Sequence, residues 1–109
     1  MADFHRVARV EELQDSVPLC VEVDDAFVVL VRVGDEVFCL DDICTHDGGP
    51  LGEGEVENHC IICPRHGAKF DLRTGAAIAL PATEPTRSHE VKVENGEVYV
   101  RLREEGTDA

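Results

Sequence analysis

The sequence has few aromatic and basic residues and no long apolar segment. Its 109 residues include no tryptophan and only 5% aromatic residues, so core packing falls mainly to Val, Leu, Ile and Ala. Ten basic residues against 23 acidic ones give a formal charge of −13, which opposes binding to nucleic acid or to an anionic membrane surface. No apolar run approaches the ~20 residues needed to span a bilayer. We therefore expect no nucleic-acid partner and no membrane association.

The amino-terminal residues lack the features of a secretion signal. The first ten residues carry Asp3, His5, Arg6 and Arg9 where a signal peptide has an apolar stretch. The chain has five cysteines, and an odd number without a secretion signal favours thiols and metal ligands over a disulfide framework. Both observations predict a cytoplasmic protein.

Alternating and Val-rich segments predict an antiparallel all-β scaffold. Two-residue turns at Asp24-Asp25 and Asn95-Gly96 predict hairpins, and Glu11 to Asp15 is interpreted as a loop or short turn. The predicted strands are Asp3 to Val10, Leu19 to Val23, Ala26 to Val33, Glu36 to Leu40, His89 to Glu94 and Glu97 to Leu102.

The length fits a single domain over residues 1–109, because a chain of this size buries little more than ~60% of its unfolded surface. The predicted strands form two groups, which we assign to a basal part at about 1–41 and 86–103. The Gly- and Pro-containing segment at about 42–85 is an insertion between them. Residues 104–109 form a charged tail that we expect to fray.

Two short segments within this insertion each offer one thiolate and one imidazole. They read Cys44-Thr45-His46 and, after sixteen intervening residues, Cys63-Pro64-Arg65-His66. A zinc finger places its two cysteines in one pair and its two histidines in the other, whereas each pair here is mixed. Mixed pairs suit two metal atoms, with Cys44 and Cys63 on one iron and His46 and His66 on the other, which is the ligand set of a Rieske [2Fe-2S] centre.

The remaining cysteines have simpler interpretations. Cys20 and Cys39 lie on predicted strands at apolar-like positions and are read as small core residues. Cys60 forms a Cys-x-x-Cys with Cys63, the pattern of a thioredoxin-like or zinc pair. Its use as a ligand would leave one of the two histidines without a role, so Cys60 is kept only as an alternative ligand.

Three other histidines and one turn complete the set of polar candidates. His5, His59 and His89 are interpreted as surface or strand residues without partners. Asp71 and Thr74-Gly75 predict a turn that supports the second Cys/His segment.

The whole pattern resembles the Rieske ferredoxins. The segment from Cys44 to Leu51, the run Cys63-Pro64-Arg65-His66-Gly67, and the later pairs Phe70-Asp71 and Thr74-Gly75 carry the resemblance, together with Leu80-Pro81-Ala82. It implies an all-β fold of three stacked antiparallel sheets, with a [2Fe-2S] cluster at the tip of a subdomain inserted in a basal β domain. It also implies that the two histidine ligands face solvent and that the Leu80-Pro81-Ala82 loop covers one side of the cluster.

The chain departs from the high-potential respiratory and photosynthetic branches at four positions. Those proteins join the cluster loops by a disulfide, where this chain has Gly49 and Arg65. They also place a Ser and a Tyr near the cluster as donors to its sulfurs, where this chain has Ala68 and Phe70. Hydrogen bonds to the sulfurs stabilise the more negative reduced state, so their loss predicts a low reduction potential.

The resemblance implies a one-electron carrier that is not catalytic alone. Its electrons would come from a flavin-containing reductase and pass to a terminal oxygenase, and we expect a monomer. Arg65, Lys69 and Arg73 place positive charge near the second segment of this acidic chain. They are either solvated side chains or a docking contact that complements acidic flanks.

Two other functions stay open at this point. The small subunit of assimilatory nitrite reductase has a Rieske-like fold and acts as an enzyme component. A binding module, in which the cluster acts as a redox sensor or serves iron-sulfur assembly, is the second alternative.

Overall fold

Ten β-strands and two short 3-10 turns make up the computed structural model, which describes residues 4–42, 51–64, 67–79 and 85–103. No α-helix occurs within these ranges. The turns are Val10–Glu12 and Leu51–Glu53. The strands are β1 (His5–Arg9), β2 (Leu19–Val23), β3 (Ala26–Val33), β4 (Glu36–Asp41), β5 (Glu55–Glu57), β6 (Cys60–Ile62), β7 (Lys69–Asp71), β8 (Ala77–Ala79), β9 (Ser88–Glu94) and β10 (Glu97–Arg101).

The predicted hairpins are confirmed, and their turns explain the register. Asp24 and Asp25, between β2 and β3, have φ values of 50° and 70°. Asn95 and Gly96, between β9 and β10, have φ values of 52° and 77°. Two successive residues with positive φ form a type I′ turn, whose twist matches that of the flanking strands. Asp and Asn tolerate this backbone region better than most residues, which is why the sequence reveals both hairpins.

The strands pair antiparallel in two sheets. The first has the order β1-β10-β9-β4-β3-β2, and the second the order β5-β6-β7-β8. Within the first sheet β9 changes partner along its length: Ser88 and His89 pair with β4, whereas the residues from Glu90 onward pair with β10. The first sheet therefore divides into the halves β1-β10-β9 and β4-β3-β2, which are joined through the start of β9. With the β5–β8 sheet, these are the three predicted antiparallel sheets.

Alternate residues of β3 face two different hydrophobic cores. Val28 and Leu30 belong to a buried cluster with residues of β1, β4 and β10, whereas Val29 and Val31 belong to a second cluster with residues of β4, β6 and β7. All four are fully buried. A strand covered on both faces is apolar throughout, which accounts for the Val-rich run in the sequence. The β2–β4 half is thus the middle layer, and the predicted stacking of three sheets is confirmed.

The chain leaves the first sheet after β4 and returns to it at β9, and β5 to β8 lie between. Each of these four strands has three residues, too short for the alternation that predicts strands, and they were not predicted individually. The proposed domain limits at about 41 and 86 stay a prediction, and the charged tail lies outside the described residues. In the part of the chain described, no helix has the length and apolar character to cross a bilayer.

Candidate metal centre

Cys63 directly follows β6, at the start of the connection to β7. Its backbone N–H donates to the carbonyl oxygen of Ala68 at 2.7 Å, and the N–H of Gly67 donates to the carbonyl oxygen of Cys63 at 3.1 Å. Gly67 has a φ of 77°, in the left-handed region that favours glycine. The hairpin of β6 and β7 therefore fixes the backbone of Cys63 from both sides.

The side chain of Cys63 is buried in an apolar environment. Its residue is 1% exposed and belongs to the same hydrophobic cluster as Leu51, Ile61, Ala68 and Phe70. A cavity of about 360 Å³ is lined by Cys63 and its neighbours Ile62, Pro64 and Gly67, and by Glu53, Gly54 and Glu55. An apolar shell around a thiolate ligand limits the access of water to a bound metal.

The residues on either side of the first Cys/His segment are held together. The N–H of Gly52 donates to Oδ1 of Asp42 at 2.7 Å, across the gap of residues 43–50. Leu51, the first described residue after that gap, is fully buried in the cluster that contains Cys63. The base of the first segment and the start of the second thus converge on one core.

Only one of the four predicted ligands falls within the described residues. Cys63 is described, whereas Cys44, His46 and His66 lie outside the described ranges, so the assignment of the four ligands stays a prediction. A set of two thiolates and two imidazoles fits a two-iron, two-sulfide cluster. The shared core beneath both segments is compatible with ligands that meet at one site.

The prediction for Cys20 is wrong. Cys20 is exposed on β2, on the same face as Glu22, so it is not a core residue. A Cβ atom on Gly52 would lie 2.0 Å from its Sγ, and its thiol donates a hydrogen bond to Asp42. Burial and the Asp42 carboxylate raise the pKa of the Cys20 thiol to about 11. Cys20 therefore packs, in its protonated form, against the base of the first Cys/His segment.

The other two described cysteines, Cys39 and Cys60, differ in burial. Cys39 is 1% exposed, which confirms its reading as a core residue. Cys60 is half-buried, with Sγ 3.5 Å from the carbonyl oxygen of Asn58, and burial raises the pKa of its thiol. Along β6 it alternates with the core residue Ile61, so its side chain points away from the cluster that contains Cys63. Whether Cys60 serves as an alternative ligand stays untested.

The predicted turn at Asp71 is confirmed. Oδ1 of Asp71 accepts hydrogen bonds from the backbone N–H groups of Arg73 at 2.7 Å and Thr74 at 3.2 Å. The N–H of Gly75 donates to the Asp71 carbonyl oxygen at 2.7 Å. A Cβ atom on Gly75 would lie 2.0 Å from the carbonyl oxygen of Thr86, so this turn packs directly on the chain that enters β9.

The prediction that His89 has no partner is wrong. Its side chain is fully buried, and Nε2 lies 2.7 Å from Oδ1 of Asp41. The N–H of Arg103 donates to Nδ1 at 3.0 Å, so Nδ1 carries no proton and Nε2–H donates to Asp41. The missed signal is the alternation of β9, which places His89 on the same face as Val91, a residue packed against the core.

Asp41 is the last residue of β4 and connects this network to the first Cys/His segment. Arg87 Nε donates to its Oδ2 at 3.1 Å. Burial by itself raises the pKa of Asp41, but the hydrogen bond from His89 and the charge of Arg87 outweigh it and hold the pKa below its ordinary value of 3.8. A charged carboxylate thus anchors the chain three residues before Cys44.

Two of the three basic residues predicted near the second segment, Lys69 and Arg73, fall within the described residues, and both lie near enough to Cys60 to lower the pKa of its thiol against the effect of burial. Lys69 Nζ lies 4.0 Å from Oε1 of Glu57, and both groups are largely exposed, so this contact contributes little. Arg73 instead faces a cavity shared with Arg87. Arg65 lies outside the described residues.

Sequence comparisons agree with the geometry of the site. A family model described as the Rieske [2Fe-2S] domain matches residues 3–98. The chain is 33% identical over 102 residues to the anthranilate 1,2-dioxygenase ferredoxin subunit of Burkholderia cepacia, and the match covers 94% of each chain. It is 39% identical over 100 residues to the 3-phenylpropionate/cinnamic acid dioxygenase ferredoxin subunit of Photorhabdus laumondii, which covers 91% of this chain and 94% of that relative.

Solved structures show the same similarity. The ferredoxin of carbazole 1,9a-dioxygenase from Nocardioides aromaticivorans IC177 superposes with a TM-score of 0.90 and 36% identity, over 94% of this chain and 100% of that one. A ferredoxin in a complex of reduced oxygenase and oxidized ferredoxin in carbazole 1,9a-dioxygenase gives a TM-score of 0.83 and 36% identity, over 88% of this chain and 99% of that one. The similarity therefore extends over nearly the whole length of these proteins.

Proposed function

The chain belongs to the Rieske [2Fe-2S] domain family, and from that membership we propose that it is a one-electron carrier that reduces a terminal non-haem iron oxygenase. The observation that carries the proposal is the similarity, over 99% of its length, to a ferredoxin whose structure is known in complex with an oxygenase. Relatives named as ferredoxin subunits match over 94% of their length, which leaves little additional chain for a substrate-binding domain. The same matches favour a carrier over a nitrite reductase subunit or an assembly module.

The [2Fe-2S] cluster of this family supplies one-electron chemistry when bound. In our proposal, Cys44 and Cys63 hold one iron, and His46 and His66 hold the other. The burial of Cys63 among apolar residues supports its assignment, since its side chain makes no hydrogen bond to the described residues that would compete with ligation. The hydrogen bond between Gly52 and Asp42 holds together the residues that flank the first Cys/His segment, which supports the placement of its ligands beside Cys63.

The ligand assignment is tested with Cys63→Ser, with Cys60→Ser as the matched control. Both residues lie on the same hairpin, but only Cys63 lies in the buried cluster. Cys63→Ser should lose the visible absorbance and the bound iron of the purified protein, whereas Cys60→Ser should retain both. Retention of a full cluster in Cys63→Ser would exclude this residue as a ligand.

We also propose a low reduction potential. Ala68 and Phe70 are fully buried and offer no side-chain donor to the cluster sulfurs. The midpoint potential should lie in the lower half of the roughly −150 to +300 mV range of such centres. Redox titration followed by visible absorbance measures it, and a midpoint in the upper half would contradict the proposal.

The electron donor in this proposal is a flavin-containing reductase, and the carrier works as a cytoplasmic monomer. The division into a basal part at 1–41 and 86–103 and a cluster-binding part at 42–85 is supported by the separate β5–β8 sheet.

Stopped-flow mixing of the reduced protein with an oxidised oxygenase of this class, under anaerobic conditions, tests the direction of electron transfer. Oxidation of the carrier at a rate that rises with oxygenase concentration supports the role, and no oxidation within the turnover time of the oxygenase would reject it.

A further inference from the structure

Three of the ten basic residues of this acidic chain line one cavity. The cavity has a volume of about 450 Å³, and its lining includes the arginines Arg73, Arg87 and Arg103 and the hydroxyl residues Thr74 and Ser88. We call it the arginine cavity. It shares no lining residue with the cavity at Cys63. Three arginines around one concavity, of which only Arg87 is paired with a described carboxylate, place local positive charge against the formal charge of −13 for the whole chain.

The walls of the arginine cavity are rigidly connected. Arg73 and Thr74 belong to the turn whose backbone is fixed by the Asp71 carboxylate. The N–H of Thr86 donates to the carbonyl oxygen of Gly75 at 2.8 Å, so this turn contacts the segment before β9 backbone to backbone. The cavity therefore exists without rearrangement of the chain, which lowers the entropic cost of binding a ligand.

Within the described ranges, two of the three arginines have no counter-charge. Arg87 Nε pairs with Asp41, and its Nη1 donates to the carbonyl oxygen of Arg103 at 3.1 Å, which fixes both residues. Neither Arg73 nor Arg103 forms a side-chain salt bridge in the described part of the chain. Two like charges at one site repel each other unless an anion lies between them.

Hydroxyl groups supply further donors at the same site. Thr74 Oγ1 accepts a hydrogen bond from the N–H of Ala76 at 3.1 Å, so its own proton is available to a ligand. Ser88 also lines the cavity. Forked guanidinium donors beside hydroxyl donors suit the tetrahedral oxygens of a phosphate. We propose that the arginine cavity is a binding site for a phosphate-class oxyanion, independent of the electron-transfer site.

The test is calorimetric titration of the purified, cluster-containing protein with inorganic phosphate, with ionic strength held constant by chloride. The wild-type protein should show one saturable site. Arg73→Gln and Arg103→Gln should each raise the dissociation constant for phosphate about tenfold, because each removes a charge-assisted hydrogen bond. Arg73→Lys, which keeps the charge, should bind more tightly than Arg73→Gln.

The matched control is Arg9→Gln, since Arg9 is also exposed but pairs with Glu11 and lies outside the arginine cavity. It should bind phosphate as the wild type does, and the visible spectrum should be unchanged in all variants. Absence of saturable binding with millimolar phosphate, or equal binding by wild type and the double variant Arg73→Gln/Arg103→Gln, would overturn the proposal.

Titration with adenosine 5′-monophosphate and with adenosine identifies the source of the phosphate group. Tighter binding of the nucleotide than of inorganic phosphate supports a nucleotide ligand, and equal binding supports the free ion. Adenosine that binds as tightly as its monophosphate would show that the phosphate is not recognised, and would reject the site.

Discussion

Replacement of His89 by leucine tests whether the buried network at the end of β4 stabilises the fold. Leucine has a similar volume and keeps the apolar contacts, so the main loss is the hydrogen bond from Nε2 to the Asp41 carboxylate, 2.7 Å long and shielded from water. A hydrogen bond to a charged group contributes about 1.5–3 kcal/mol. The N–H of Arg103 also loses its acceptor, but Arg103 is exposed and water replaces it. We expect a loss of about 2 kcal/mol.

For a domain of this size, that loss should lower the midpoint of thermal unfolding by about 8 °C. Circular dichroism at a fixed scan rate measures it, and His5→Leu, an exposed histidine on β1, is the matched control with an expected change within ~0.5 kcal/mol. A double-mutant cycle with Asp41→Asn should give a coupling energy of about 1 kcal/mol between the two side chains. A His89→Leu protein that melts with the wild type, or a coupling energy near zero, would refute the reasoning.

Two further predictions concern Gly75 and Cys20. Gly75→Ala should lower the free energy of unfolding, measured in urea, by about 3 kcal/mol, because φ is 80° and the new Cβ would lie 2.0 Å from the Thr86 carbonyl oxygen. The control Gly34→Ala, with positive φ but no atom within 4 Å, should lose only about 1 kcal/mol, and equal losses would contradict the prediction. Alkylation of Cys20 by iodoacetamide, followed by mass spectrometry, should be about 100-fold slower at pH 8 than that of a thiol with a pKa of 9.0, and should rise about tenfold per pH unit up to its pKa of about 11. A rate that levels off near pH 9 would show that neither burial nor Asp42 shifts this thiol.

The basal strands could be predicted because local signals agree with tertiary structure there. The residues of β2 and β3 flank Asp24-Asp25, and those of β9 and β10 flank Asn95-Gly96, so each turn sets the register of its hairpin. The strands β5 to β8 have no such support. They are three residues long, and they are defined by pairing between strands, such as that of Val56 with Ile61. Such short strands show no periodicity in the sequence from which this pairing could be predicted.

The site residues divide in the same way. The Cys/His spacing predicts a metal centre because ligand chemistry restricts the residue types, and the buried turn at Cys63 agrees with it. Cys20 was misassigned because an apolar-like residue on a short strand does not reveal which face it occupies. His89 was missed because its partner Asp41 lies 48 residues away and is brought to it only by the antiparallel pairing of β4 and β9.

The double burial of β3 has a mechanical consequence. Val28 and Val29 are adjacent in sequence but belong to different cores, so a shift of the β3 backbone that relaxes one core compresses the other. The β5–β8 sheet, which Cys63 directly follows at the end of β6, therefore packs on a layer that cannot shift without disturbing the core on its other face. We therefore expect the two sheets to unfold as one cooperative unit.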